Sequence, residues 1–166
     1  MPKIEVVKKD KLVIVHGLTV NYDQLPRNAV AGLPKNNSLI ANRFPLKKWN
    51  GGKSGTAEID IHLVKAGRYL STADARLFVA ERQLQQTIPA EIVPLKKYCQ
   101  ELWDKNVHYA VALCDSDEAL WQDPAGDLRV IYLGFNPNFR GFYLYDADDD
   151  QDDGWNDLAS FAGLPQ

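Results

Sequence analysis

Glu58, Asp60 and His62 alternate through "AEIDIHLV" and combine two carboxylates with an imidazole, the donor types of a divalent-metal site or a metal-dependent hydrolase. Successive strand residues point to opposite faces, so the same spacing also describes a solvated acidic strand face backed by Ile59, Ile61 and Leu63. A second concentration of carboxylates is "DADDDQDDGWND", Asp146 to Asp157. Taken as a calcium loop from Asp149, it places Gln151 third, Asp153 fifth, Gly154 sixth, Asp157 ninth and Ser160 twelfth. Calcium takes about six to eight oxygens, and an EF-hand supplies two of them from a Glu at the twelfth position, where this chain has serine. Tyr143, Tyr145 and Trp155 flank the run, and aromatic rings beside carboxylates suit the docking of a basic protein loop.

Other chemical signatures are incomplete. "NGGKSGT" lacks the first glycine of a phosphate loop, Lys47 standing in its place, and a strand rather than a helix is expected to follow it. Asn50, Gly51, Gly52 and Gly55 are read instead as the positive-φ positions of a tight loop. "KSG" has no S-x-x-K partner, and no G-x-S-x-G elbow occurs. Cys99 and Cys114 lack the short spacing of a zinc or redox pair and are expected to be buried, reduced thiols. His16, His62 and His108 fall within expected strands at no ligand spacing. The chain is therefore read as a non-enzyme with no cofactor and no metal, the alternatives being a metal-dependent hydrolase built on Glu58, Asp60 and His62 or a general protein-interaction module.

The elements that must position these groups form one domain, residues 1–166, of α+β class: a mainly antiparallel sheet with about three helices packed on it. "KIEVVKK" and "KLVIVHGLTV" predict a hairpin turning at Lys9 and Asp10. Residues 21–55 read as irregular, with a short strand at "SLIANRF". After the strand at "AEIDIHLV", "STADARLFVAERQLQQ" predicts a helix capped by Ser71 with Asp74, buried through Ala73, Leu77, Ala80 and Leu84, and ended by Pro89. Ile92, Leu95, Cys99, Leu102 and Trp103 predict the buried stripe of a second helix, and "VHYAVALC" a strand. Asp115 and Glu118 are placed to cap a short helical turn, residues 127–146 form an aromatic hairpin around "NPNF", and "WNDLASFAGLP" ends the chain in a helix stopped by Gly163 and Pro165.

Composition fits a globular chain: of 166 residues, 45% are hydrophobic and 25% charged. "LVIVHGLTV" is too short and polar to span a bilayer, and Glu5, Asp10, Asp23 and Arg27 spoil its likeness to a secretory leader, so a cytoplasmic location is expected. Charge is lopsided. Residues 1–56 hold ten Lys or Arg against three acids, and residues 57–166 hold nine against nineteen, giving +7 and -10. This disfavours direct nucleic-acid binding and favours a cationic protein partner.

"WNGGKSGTAEIDIHLVKAGRYLSTADARLFVAERQ", residues 49–83, together with the aromatic hairpin and the acidic segment after it, resembles the immunity proteins of contact-dependent growth inhibition systems. The resemblance spans the chain and rests on overall pattern. It implies a protein that binds and neutralises the C-terminal nuclease toxin domain delivered by a neighbouring bacterium, in some members by accepting a toxin β-hairpin as an extension of its own sheet. The candidate toxin contacts are Glu58, Asp60, Asp146, Asp148, Asp149, Asp150, Asp152 and Asp153, with Tyr145 and Trp155 as candidate anchors.

Overall fold

The computed structural model describes residues 2–33, 38–147 and 154–166. Asp148, Asp149, Asp150, Asp152 and Asp153 of the acidic run lie outside the described residues. The chain begins with the expected hairpin, β1 (Lys3–Lys8) antiparallel to β2 (Leu12–Asn21), which turns with Asp10 at a φ of 60°. Three short helices follow: α1 (Pro26–Ala29), α2 (Ser38–Arg43) and α3 (Leu46–Asn50). "SLIANRF" is therefore helical where a strand was expected. Its Ile40 is fully buried in the core, with Leu39 and Ala41 packed beside it, and that contact outweighs a weak local preference.

β3 (Thr56–Lys65) pairs with β2 and has the expected half-buried alternation. The next helix, α4 (Thr72–Ala80), starts where the cap predicted, Asp74 N–H donating to Ser71 Oγ at 3.0 Å. It is shorter and rotated relative to expectation. Ala75, Phe78 and Val79 are buried, Ala73 and Ala80 are exposed and Leu77 is 61% exposed; Leu84 belongs to strand β4 (Leu84–Gln86). Pro89 opens a helix instead of ending one, because proline's fixed φ suits a first turn. The expected single second helix is a series: α5 (Pro89–Ile92), a 3-10 turn at Val93–Tyr98 that accommodates Pro94 in its first turn, and α6 (Cys99–Asp104). Ile92, Leu95, Cys99 and Leu102 line its buried side as the spacing predicted.

The chain continues through β5 (Tyr109–Ala112), a 3-10 turn at Asp117–Ala119, β6 (Trp121–Gln122), β7 (Leu128–Gly134), β8 (Gly141–Asp146) and β9 (Ala159–Pro165). β7 and β8 form the aromatic hairpin as expected. The largest correction is β9, a strand where a C-terminal helix was expected. Ala159, Ser160, Phe161 and Ala162 are all at most 2% exposed, so both faces are covered and no period-two alternation marks the strand. β9 runs antiparallel to β3 along one edge and, along the other, parallel to β5 and antiparallel to β4. A Cβ at Gly163 would stand 2.8 Å from Leu84 Cβ, so the approach of β4 requires glycine there.

Among the described residues one nine-stranded sheet runs β1-β2-β3-β9-β5-β7-β6, with β4 also on β9 and β8 also on β7, and every pairing except β5 with β9 is antiparallel. The fold is α+β but dominated by sheet, with several helices of four to nine residues rather than about three of ordinary length. No helix of the described residues is long and apolar enough to cross a membrane. One apolar cluster joins Val13, Val15, Ile61 and Leu63 of the sheet to Ile40, Trp49 and Leu102 of the helices. On the opposite face Phe161, Val111 and Val130 pack with Phe78, Leu70 and Trp155. These assignments predict that Phe78→Ala lowers unfolding free energy by about 3–5 kcal/mol. Leu77→Ala should change it by no more than about 0.5 kcal/mol, both values read from urea denaturation.

Candidate functional site

The alternation of buried residues in β2 changes phase between Val15 and Leu18: Val13 and Val15, then Leu18 and Val20, all face the core. A β-bulge absorbs the extra residue. Val15 pairs with Ile61 and Leu18 with Ile59, leaving His16 and Gly17 together opposite Asp60. Gly17 adopts a left-handed φ of 71°, open to glycine at little cost, and its N–H donates to Asp60 Oδ1 at 2.9 Å. His16 then lies between two carboxylates, Nδ1 3.4 Å from Asp60 Oδ2 and Nε2 3.4 Å from Glu5 Oε1 on β1. Glu58 borders the bulge, because a Cβ on Gly17 would meet its Oε1 at 3.5 Å. His62 shares a row with Ile14 and Glu5, and Lys3 stands directly opposite His16.

The Gly17 N–H is the foremost reason that the Asp60 carboxyl sits below its ordinary value; burial opposes this, and His16 and then His62 reinforce it. Burial pushes the His62 imidazole down, with Asp60 pulling the other way. Glu58, Asp60 and His62 do share one strand face, as their spacing predicted. They do not converge, because alternate strand residues lie about 7 Å apart and Asp60 is turned toward Gly17 and His16 across the sheet. Among the described residues no three His, Cys, Asp or Glu side chains are placed to hold a metal ion. Sequence reasoning missed Glu5 and His16; the phase change at 16–17 was the available signal.

Tyr145 and Asp146 end β8, four strand spacings from β3, so the candidate contacts divide between two regions. Asp146 pairs across the ladder with Arg129. Tyr145 is half-buried, donates its hydroxyl to the Gly154 carbonyl at 2.8 Å, and packs 4.2 Å from the Trp155 ring. Trp155 is a core residue, not a surface anchor. It is 2% exposed, its Nε1 donates to Thr72 Oγ1 at 3.1 Å, and its backbone exchanges two hydrogen bonds with Leu70. Gly154 lies so close to the Leu70 carbonyl that a Cβ would stand 2.5 Å away, which fixes glycine at this end of the acidic run.

The remaining motifs are architectural. Gly51, Gly52 and Gly55 take positive φ as expected, whereas Asn50 ends α3 and uses its side chain, donating to the Tyr22 carbonyl and accepting from Gly52 N–H, both at 2.8 Å. Lys53 and the Tyr22 hydroxyl donate to buried Glu91, binding this loop to α5. Both cysteines are free and buried, and burial pushes the Cys99 thiol up to about 11 and Cys114 to about 12. A cleft of about 550 Å³ between α4 and β4 is lined by Leu77, Ala80 and Arg76. The Arg76 guanidinium is engaged by Asp117 and the Leu113 and Cys114 carbonyls.

No family model, curated protein or solved structure matches the chain.

A carboxyl held below its ordinary value in the folded protein contributes stability above the unfolded-state value, and that contribution is lost as pH falls through the folded one. Asp60→Asn is therefore expected to lower the urea midpoint at neutral pH, with the difference from the parent protein shrinking as pH falls through the range in which the folded carboxyl takes up its proton, followed by denaturation across pH.

Proposed function

We propose that this chain is a noncatalytic immunity protein, acting in the cytoplasm, that binds and neutralises the C-terminal nuclease toxin domain of a contact-dependent growth inhibition system. The observation that favours this most is the combination at one end of the sheet of an outer strand with a charged face beside it. β1 pairs with β2 alone among the described residues, and its Val6 and Val7 are 45% and 52% exposed. An incoming strand satisfies the main-chain groups of such an edge, and exposed valines give it apolar contact. Beside that edge Glu5, Glu58 and Asp60 present carboxylates from a backbone fixed by the β2–β3 ladder and its bulge.

Nucleases carry basic surfaces for phosphate, so carboxylates held on a rigid sheet steer such a partner and compete with its substrate. The surplus of acids over bases in residues 57–166 acts in the same direction at longer range. Asp148, Asp149, Asp150, Asp152 and Asp153 contribute their charge to this surplus. Tyr145 and Asp146 offer a second contact region at the far edge, whereas Trp155 supports that region from within.

The proposal expects a gene for a nuclease toxin domain immediately upstream, and the test is co-production of the domain encoded there with this chain. The expected outcome is an equimolar complex on gel filtration, loss of nuclease activity in the mixture, and survival of cells expressing both. Separate elution with undiminished nuclease activity would remove the proposal.

A further inference from the structure

A neutral imidazole has one N–H and one lone pair, whereas an imidazolium has two N–H groups. His16 meets a carboxylate oxygen on each side, at 3.4 Å from both Asp60 and Glu5. Both contacts are attractive together only when the ring is protonated. In the neutral ring a lone pair confronts one of the two carboxylates, and that carboxylate turns away. Asp60 is held independently by the Gly17 N–H at 2.9 Å, so Glu5, on the outer strand, is the group that leaves. The charged and titratable groups around His16 are Lys3 and Glu5 from β1 and Glu58, Asp60 and His62 from β3.

We propose that Glu5, His16 and Asp60 form a pH-sensitive latch across β1, β2 and β3: protonation of His16 clasps the outer strand through Glu5, and deprotonation releases it. The latch needs the ring protonated while both carboxylates keep their charge, so it is closed on the acid side of neutrality and open on the alkaline side. The three groups sit on the strand proposed above to accept the toxin, so the functional consequence rests on that proposal: a released Glu5 is free to meet a basic partner, and a clasped one is not. The latch itself is a property of the free protein.

The experiment is amide hydrogen exchange by NMR on the free, full-length chain, with protection of Ile4, Glu5, Val6 and Val7 corrected for the intrinsic pH dependence of exchange. The Glu5 side-chain carboxyl carbon is followed in the same titration. Protection of β1 is expected to rise about fivefold from about pH 8 to about pH 5.5, the scale on which exposed ion pairs act, and the Glu5 carboxyl signal to move with the His16 ring signals. Both Glu5→Gln and His16→Gln should flatten the protection profile, while His62→Gln should leave it in place. Because His16 lies in the bulge, Glu5→Gln is the variant that separates loss of the latch from a disturbed strand. An unchanged profile in Glu5→Gln, or a Glu5 signal indifferent to His16, would overturn the latch without bearing on toxin binding. Failure of the toxin complex would leave the latch standing.

Discussion

The pairing of β9 with strands on both its edges holds the fold together. β3 joins it to the N-terminal hairpin, and β5 joins it to the β7–β8 ribbon. Its own side chains enter both apolar clusters, Ala162 on one face and Ala159 and Phe161 on the other. From Ala159 to Gly163 this strand is buried and laddered to its neighbours, and it tolerates only small residues where they press close, as Gly163 does against Leu84. The contact of β9 with β3 spans about a hundred residues of sequence, so chain closure has to precede the packing that rewards it.

Because β9 fixes β3 from one side, the surface on the other side of β3 is rigid without being covered. α4, Leu70 and Trp155 cover the middle of that sheet face, leaving Glu5, His16, Glu58, Asp60 and His62 partly or fully open to solvent at the β1 end. The bulge at His16 and Gly17 keeps the valines and leucine of β2 in the core on either side of it, and as a by-product aims an N–H at Asp60 and a ring at Glu5. A packing requirement thereby also sets the geometry of a charged site.

Elements whose partners are local or one-sided were legible in the sequence. The first hairpin, the acid-faced strand at 56–65, the Ser71 cap and the aromatic hairpin each carry a periodicity or cap that survives folding unchanged. Elements decided by distant partners were not. "ASFAG" gives no alternation because it is buried on both faces. "ADARLFVA" carries two apolar stripes, and the sheet chose Ala75, Phe78 and Val79 over Ala73, Leu77 and Ala80. Half of the candidate site was visible: Glu58 and Asp60 lie on the exposed face their spacing predicted. Glu5 and His16 join them only through strand pairing, and Trp155, which looked like a surface anchor beside acids, is held inward by Thr72 and Leu70.

The central claim is that a cationic partner is met by the open end of this sheet. The association rate of the toxin domain proposed as its partner, measured by stopped flow over a range of salt concentrations, tests it most directly when the parent chain is compared with a variant carrying Glu5→Gln, Glu58→Gln and Asp60→Asn. The account predicts a parent rate that falls steeply with salt, and a variant that associates more slowly with a shallower salt dependence. Equal rates and equal slopes for the two proteins would contradict it.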